Sequence, residues 1–253
     1  MTNKLKYFVA NWKMFGNFAY LKNFHKVHNF LALNKKLRKK NKVILCIPNT
    51  LLYFYKKKIN SKFISLGAQN CHYLQKFGPY TGSISSYMLK TVGTKYVILG
   101  HSENRSQGET NKIICKKIQS SLNQNLKVIF CIGETLKEKR RKKTFFILKR
   151  QITSSIKKNF NLNKIIIAYE PVWSIGTGKI PKVKELEKTF KFIKSVFKKS
   201  LKVKKPPTIL YGGSVNSSNV RKFSFISDID GFLIGSASIS SKNFIDIIKN
   251  YYK

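Results

Sequence analysis

Short apolar runs alternate along the chain with longer lysine-rich stretches in which apolar residues recur at a helical interval. The runs fall near residues 7–11, 43–47, 63–68, 96–99, 128–132, 165–169, 208–211 and 231–234, each with the length of a buried strand. The stretches with a period near 3.6 residues include 18–39, 111–124, 134–158, 183–199 and 240–250, and predict amphipathic helices. Eight strand–helix repeats in about 250 residues are the rhythm of an α/β chain closed into a (β/α)8 barrel. A doubly wound sheet is the alternative, although it usually carries fewer repeats. No linker, low-complexity tract or internal repeat divides the pattern, which predicts a single domain over 1–253.

The 253 residues are enough to bury a sizeable core, and the 42% apolar content excludes a disordered or fibrous chain. No apolar run approaches the ~18 residues of a membrane span. The opening MTNKLKYFVANWKM has an apolar stretch too short for a secretory segment, broken by Asn11 and Lys13. Cys46, Cys71, Cys115 and Cys131 are far apart, without the paired spacing of a zinc or redox centre. The expectation is a cytoplasmic protein with four reduced thiols and no membrane partner.

Charge alters this picture in one respect. Fifty basic residues face ten acidic ones, a formal net charge of +40. Such a balance ordinarily suggests nucleic acid. Only six of the basic residues are Arg, however, and the lysines run along the whole chain. Phosphate and base readers favour the guanidinium fork, so the charge reads as a solvated lysine coat with no specific nucleic-acid partner.

In a barrel, chemistry sits where strands end. Acids are so few that their positions inform: Glu103, Glu134 and Glu170 each closely follow a predicted strand. Glu170 closes an apolar run and is followed at once by Pro171; a half-buried carboxylate there suits a general base, although a helix-start acid or ion-pair partner is an equal reading. Asn11 and Lys13 are two apart at the end of the first strand, and strand alternation points both into the barrel mouth. His101 ends the fourth strand. His25 and His28 lack a third ligand and read as surface residues, and His72 reads as a loop residue. Glycine-rich segments follow the last three strands: Gly176-Thr177-Gly178-Lys179, Gly212-Gly213-Ser214 and Gly235-Ser236-Ala237-Ser238. Their N–H groups can converge on an oxyanion, and neither standard nucleotide fingerprint fits, which points to a small phosphate ester.

Asn11-Trp12-Lys13-Met14, Ala68-Gln69-Asn70, Gly100-His101-Ser102-Glu103, Cys131-Ile132-Gly133-Glu134-Thr135, Tyr169-Glu170-Pro171-Val172-Trp173 running on to Lys179, Tyr211-Gly212-Gly213-Ser214-Val215 and Asp230-Gly231-Phe232-Leu233-Ile234-Gly235 together closely resemble the triosephosphate isomerase family. The match runs in order from Asn11 to Ser238. The family is a standard illustration of pKa tuning and of lid closure. The resemblance implies a TIM barrel that interconverts dihydroxyacetone phosphate and glyceraldehyde 3-phosphate, without metal or organic cofactor. It implies Glu170 as base, His101 and Lys13 as electrophiles, Asn11 as a substrate-orienting group and Glu103 as support for Lys13. It also implies a phosphate site at the N–H groups of Gly176, Ser214, Gly235 and Ser236, with 171–179 as the lid.

Four departures from the family pattern carry expectations. Ser236 stands where a second Gly is usual, so any positive φ there would strain the phosphate loop. Pro181 stands at the trailing hinge of the lid, where it offers no N–H to Tyr211. The family is typically a homodimer whose third loop, here 75–85 with Thr81 at its tip, inserts beside the partner's active site. Ser83 and Asn104 replace a Glu and an Arg that would pair across that interface; with both absent, neither charge is orphaned, and a dimer is expected. Two further readings stay open. Another phosphate-binding barrel enzyme, such as an aldolase, would want a buried lysine deep in the barrel for Schiff-base chemistry, whereas strand six ends in Glu170 and the strand-end Lys13 suits an electrophile better. A nucleic-acid-binding protein on an inactive barrel would show steeply salt-dependent binding.

Overall fold

The computed structural model describes residues 5–58 and 61–253. The eight strands are β1 (Lys6–Asn11), β2 (Asn41–Cys46), β3 (Ile64–Ala68), β4 (Tyr96–Leu99), β5 (Lys127–Ile132), β6 (Ile165–Tyr169), β7 (Thr208–Tyr211) and β8 (Gly231–Ile234). All pair in parallel with their sequence neighbours, and β8 returns to β1 with Tyr7 opposite Gly231, closing the barrel. Strands covered on both faces need continuous apolar runs, which is why these strands read so clearly. Alternate residues divide two cores. Val9, Ile44, Ile98, Ile129, Ile166, Leu210 and Leu233 fill the barrel, and Phe8, Val43, Val97, Val128, Ile167 and Phe232 pack outward against helices.

The helices are α1 (Lys22–Leu33), α2 (Lys35–Lys40), α3 (Asn49–Lys58), α4 (Ser86–Thr91), α5 (Ser102–Ser106), α6 (Asn111–Asn123), α7 (Leu136–Arg140), α8 (Thr144–Ser155), α9 (Val183–Ser200) and α10 (Ser241–Asn250). On α9 the buried residues Leu186, Phe190, Ile193 and Phe197 form one stripe, as its periodicity predicts.

Two of the helices predicted from periodicity are each broken. The stretch 18–39 becomes a 3-10 turn (Phe18–Leu21), α1 and α2, parted at Asn34, whose backbone is non-helical and whose amide donates to Phe30 O at 2.8 Å. The stretch 134–158 becomes α7 and α8, with Lys142 between them at φ 56°. Amide back-bonding and a left-handed lysine both interrupt a helix without glycine or proline, so the pattern carries no break there. Between β7 and β8 the only helical turn is the 3-10 segment Val220–Phe223.

Candidate active site

The C-terminal ends of the strands surround one cleft of about 520 Å³, open to solvent and lined by Asn11, Lys13, His101, Glu170, Gly176, Ser214, Gly235 and Ser236. All eight candidate groups therefore meet at one mouth, although they are spread over 226 positions of sequence, from 11 to 236.

Glu170 follows β6 and is buried, with only 3% of its surface exposed. Burial pushes its carboxyl above the ordinary carboxylate range; His101, the Cys131 thiol, Lys13 and the backbone N–H of Ser102 oppose that shift. Two glycines make room for it. A Cβ on Gly212 would lie 2.7 Å from Glu170 Cγ, and one on Gly133 would lie 1.7 Å from its carbonyl oxygen. His101 caps α5, and its Nδ1 accepts from the backbone N–H of Glu103 at 3.3 Å. That bond assigns the proton of the neutral ring to Nε2, the nitrogen 3.3 Å from Glu170 Oε1.

Lys13 reaches the cleft by a route that strand alternation does not predict. β1 ends at Asn11, Trp12 turns into the core to stack on Phe24 at 4.6 Å, and Lys13 adopts φ 54°. A left-handed non-glycine residue costs roughly 1–2 kcal/mol, so its surroundings must hold it. Asn11 Oδ1 accepts from its N–H at 3.1 Å, and Gln69 Nε2 donates to its carbonyl at 2.8 Å. Its ammonium meets Glu103 Oε1 at 2.6 Å.

The segment after Glu170 is anchored at both ends. At its start Trp173 Nε1 donates to Glu134 Oε1 at 2.8 Å, and Tyr169 donates to the same carboxylate. Glu134 is therefore an anchor outside the cleft. Ser174 Oγ donates to Lys179 O at 2.5 Å, lies 3.1 Å from the Tyr211 hydroxyl and accepts from the N–H of Ser214 at 3.3 Å. Tyr211 thus finds Ser174 as its partner, and Pro181 is buried at the trailing end. Burial pushes the Tyr211 hydroxyl to about 12.

The expected strain at Ser236 does not arise. No positive φ falls on Ser236; it opens the 3-10 turn Ser236–Ser238, whose N-cap Gly235 has φ −79°. Serine fits a helical start as well as glycine does, and the first N–H groups of such a turn have no acceptor within it.

Two positioning residues escaped the sequence reading. Gln69 bridges Lys13 O, Cys46 O and Asn11 Oδ1, tying the first three strand ends together. Arg105 joins the ends of β4 and β5, with Nε donating to Gly100 O at 2.7 Å and Nη2 to Cys131 O at 3.2 Å. Both types are rare in the chain, six Arg and six Gln, and that scarcity is the signal that points to them. His25 is exposed, His28 bonds Ser61 Oγ at 2.7 Å, and His72 lies between the Tyr73 and Tyr80 rings, all away from the cleft. Among the described residues all four cysteines are free thiols, and no three His, Cys, Asp or Glu side chains gather as a metal would require.

A closed (β/α)8 barrel with a carboxylate, an imidazole and an ammonium facing glycine-rich loops defines a phosphate-ester enzyme of the barrel class. The model of the family described as "Triosephosphate isomerase" matches residues 6–251. The chain belongs to the triosephosphate isomerase family. It is 40% identical over 250 residues to the triosephosphate isomerase of Dictyoglomus thermophilum, covering 97% of this chain and 99% of the relative. It is 43% identical to that of Buchnera aphidicola subsp. Schizaphis graminum, covering 97% of each. The crystal structure of triosephosphate isomerase from Bartonella henselae superposes with a TM-score of 0.88 at 32% identity, covering 98% of this chain and 99% of the other.

Proposed function

We propose that the cleft interconverts dihydroxyacetone phosphate and D-glyceraldehyde 3-phosphate, the isomerase step shared by glycolysis and gluconeogenesis. The observation that carries this reading is the buried Glu170 carboxylate 3.3 Å from His101 Nε2, with the Lys13 ammonium lining the same cleft. Glu170 takes a proton from the carbon beside the carbonyl and returns it to the former carbonyl carbon, while one proton passes from the hydroxyl oxygen to the former carbonyl oxygen through an enediol(ate) intermediate. A carboxylate with a raised pKa is a better base for that step than an ordinary one. His101 Nε2–H and Lys13 stabilise the oxygens where negative charge develops, and Asn11 orients the substrate. Glu103 holds the Lys13 ammonium from behind.

The phosphate is taken by the N–H groups of Gly176, Ser214, Gly235 and Ser236, and the segment 171–179 closes over it to exclude water. The reaction moves only protons and electron pairs within one substrate, so it calls for no metal or organic cofactor. A coupled isomerase assay on the purified protein beside Glu170→Gln tests the reading. Parent activity should fall by about 10²-fold or more in the variant, the scale of general-base catalysis. A folded parent without activity would overturn it.

The working form is a cytoplasmic homodimer of one domain per chain, with no specific nucleic-acid partner. Its support is apolar surface on the loops after β1 and β3, where Met14 is 96% exposed and Phe77 74%. Ser83 and Asn104 bring no charge to that face. A sedimentation experiment showing a fully active monomer at micromolar concentration would overturn the dimer.

A further inference from the structure

Behind the lid, on the outer wall of the barrel, lies a second hollow of about 810 Å³ between the α7–α8 turn and the first turns of α9. It shares no lining residue with the catalytic cleft. Its floor is apolar, with Phe145, Leu186 and Pro181, and one wall is the Trp173 ring. Phe145 is fixed by stacking on Phe192 at 4.4 Å. Three ammonium groups stand around this floor: Lys139, 3.7 Å over the Trp173 ring, Lys142 on the turn and Lys188 on α9, 5.7 Å from the Phe145 ring.

The acids beside it are already committed. Glu134 accepts from Trp173 and Tyr169, and Glu185 pairs with Lys139 at 3.3 Å. Among the described residues, Lys142 and Lys188 have no ion-pair partner. The turn itself reads Lys139-Arg140-Arg141-Lys142-Lys143, which adds positive field.

A hollow with an aromatic floor and unneutralised cations on its rim suits one ligand chemistry: a ring or short hydrocarbon body ending in a carboxylate, sulfonate or phosphate. Trp173 lies near the start of the proposed lid 171–179, and Pro181 stands two residues beyond its end, at the trailing hinge. We propose that this hollow is a second ligand site for a small amphiphilic organic anion, whose occupancy braces the lid hinges and slows turnover without competing with substrate. The anionic end sits on Lys142 and Lys188, and the apolar body lies against Phe145, Leu186 and Trp173.

The probe is 8-anilinonaphthalene-1-sulfonate, followed by its fluorescence at constant ionic strength. Saturable binding to the parent should weaken about tenfold in Lys142→Glu/Lys188→Glu, two surface charge reversals. It should stay near parental in Lys35→Glu/Lys36→Glu, which changes net charge equally on the exposed α2. Equal weakening in both variants would mean binding to the lysine coat in general and would overturn the site. In the isomerase assay, which alone rests on the function proposed above, bound probe should lower kcat in the parent with KM unchanged. A competitive pattern would place the probe in the catalytic cleft, and bound probe with unchanged kcat would refute the brace; either result overturns the proposal, whereas the fluorescence titration stands whether or not the protein is an isomerase.

Discussion

The backbone N–H of Ser214 donates to Ser174 Oγ at 3.3 Å, so a lid side chain occupies a group proposed to receive the substrate phosphate. The same hydroxyl bonds Lys179 O and lies within hydrogen-bond distance of Tyr211, which makes Ser174 the knot of the lid in this conformation. Phosphate can take the Ser214 N–H only after that bond is given up. Ser174→Ala removes the competitor at a net loss of about 0.5–1.5 kcal/mol per hydrogen bond. KM for the triose phosphate should therefore fall by about threefold, with kcat reduced if the lid then opens more slowly. A KM that rises would show that Ser174 supports the closed lid instead.

Glu170 predicts the acid side of the pH profile. Its pKa is raised by burial, so the protonated, inactive form persists above the ordinary carboxylate value of about 4.3. The acid limb of kcat/KM should lie above that value. Lys13 opposes the shift, so the residual activity of Lys13→Met should show an acid limb displaced to still higher pH. The linkage has the matching sign: a carboxyl raised on folding stabilises the fold below its unfolded pKa, and that contribution is lost as pH rises through the folded value. A Lys13→Met limb moved to lower pH would refute the assigned electrostatics.

The strands were legible because a parallel barrel buries both faces of each strand, and unbroken runs such as Ile165–Tyr169 leave little else to be. The breaks at Asn34 and Lys142 were not, because lysine-rich segments keep a helical rhythm through an interruption made by a non-glycine residue. The positions of Glu170 and His101 at the cleft follow from their place at strand ends. The conformation of Lys13 does not: alternation points it inward, whereas the chain gets there by burying Trp12 and twisting Lys13 to φ 54°. Ser236 erred in the opposite direction, since a lost glycine signals strain only where φ is positive.

Gln69 is the test of how that twist is held. Its amide bridges the carbonyls of Lys13 and Cys46 at 2.8 and 3.2 Å, partners 56 and 23 positions away. Gln69→Leu leaves both carbonyls without this donor, at a cost of about 1–3 kcal/mol. Urea unfolding should register that loss. With the support gone, Lys13 should relax from its left-handed geometry and lower kcat more than it raises KM. Unchanged kcat alongside the stability loss would mean that Asn11 and Glu103 alone fix Lys13.

The lysine coat bears on rate through its long-range field. A chain at +40 attracts a dianionic substrate over about 30 Å at 0.01 M salt but only about 8 Å at 0.15 M, and the catalytic mouth adds Lys13 to that field. Steering acts on encounter, so kcat/KM should fall by about tenfold over this salt range while kcat at saturation holds steady. Sodium chloride titrations of both constants separate the effects, because chloride competing at the phosphate loops would raise KM at high salt without the steep dependence near 0.01 M. A flat kcat/KM would place the slow step after encounter and leave the coat no part in substrate capture.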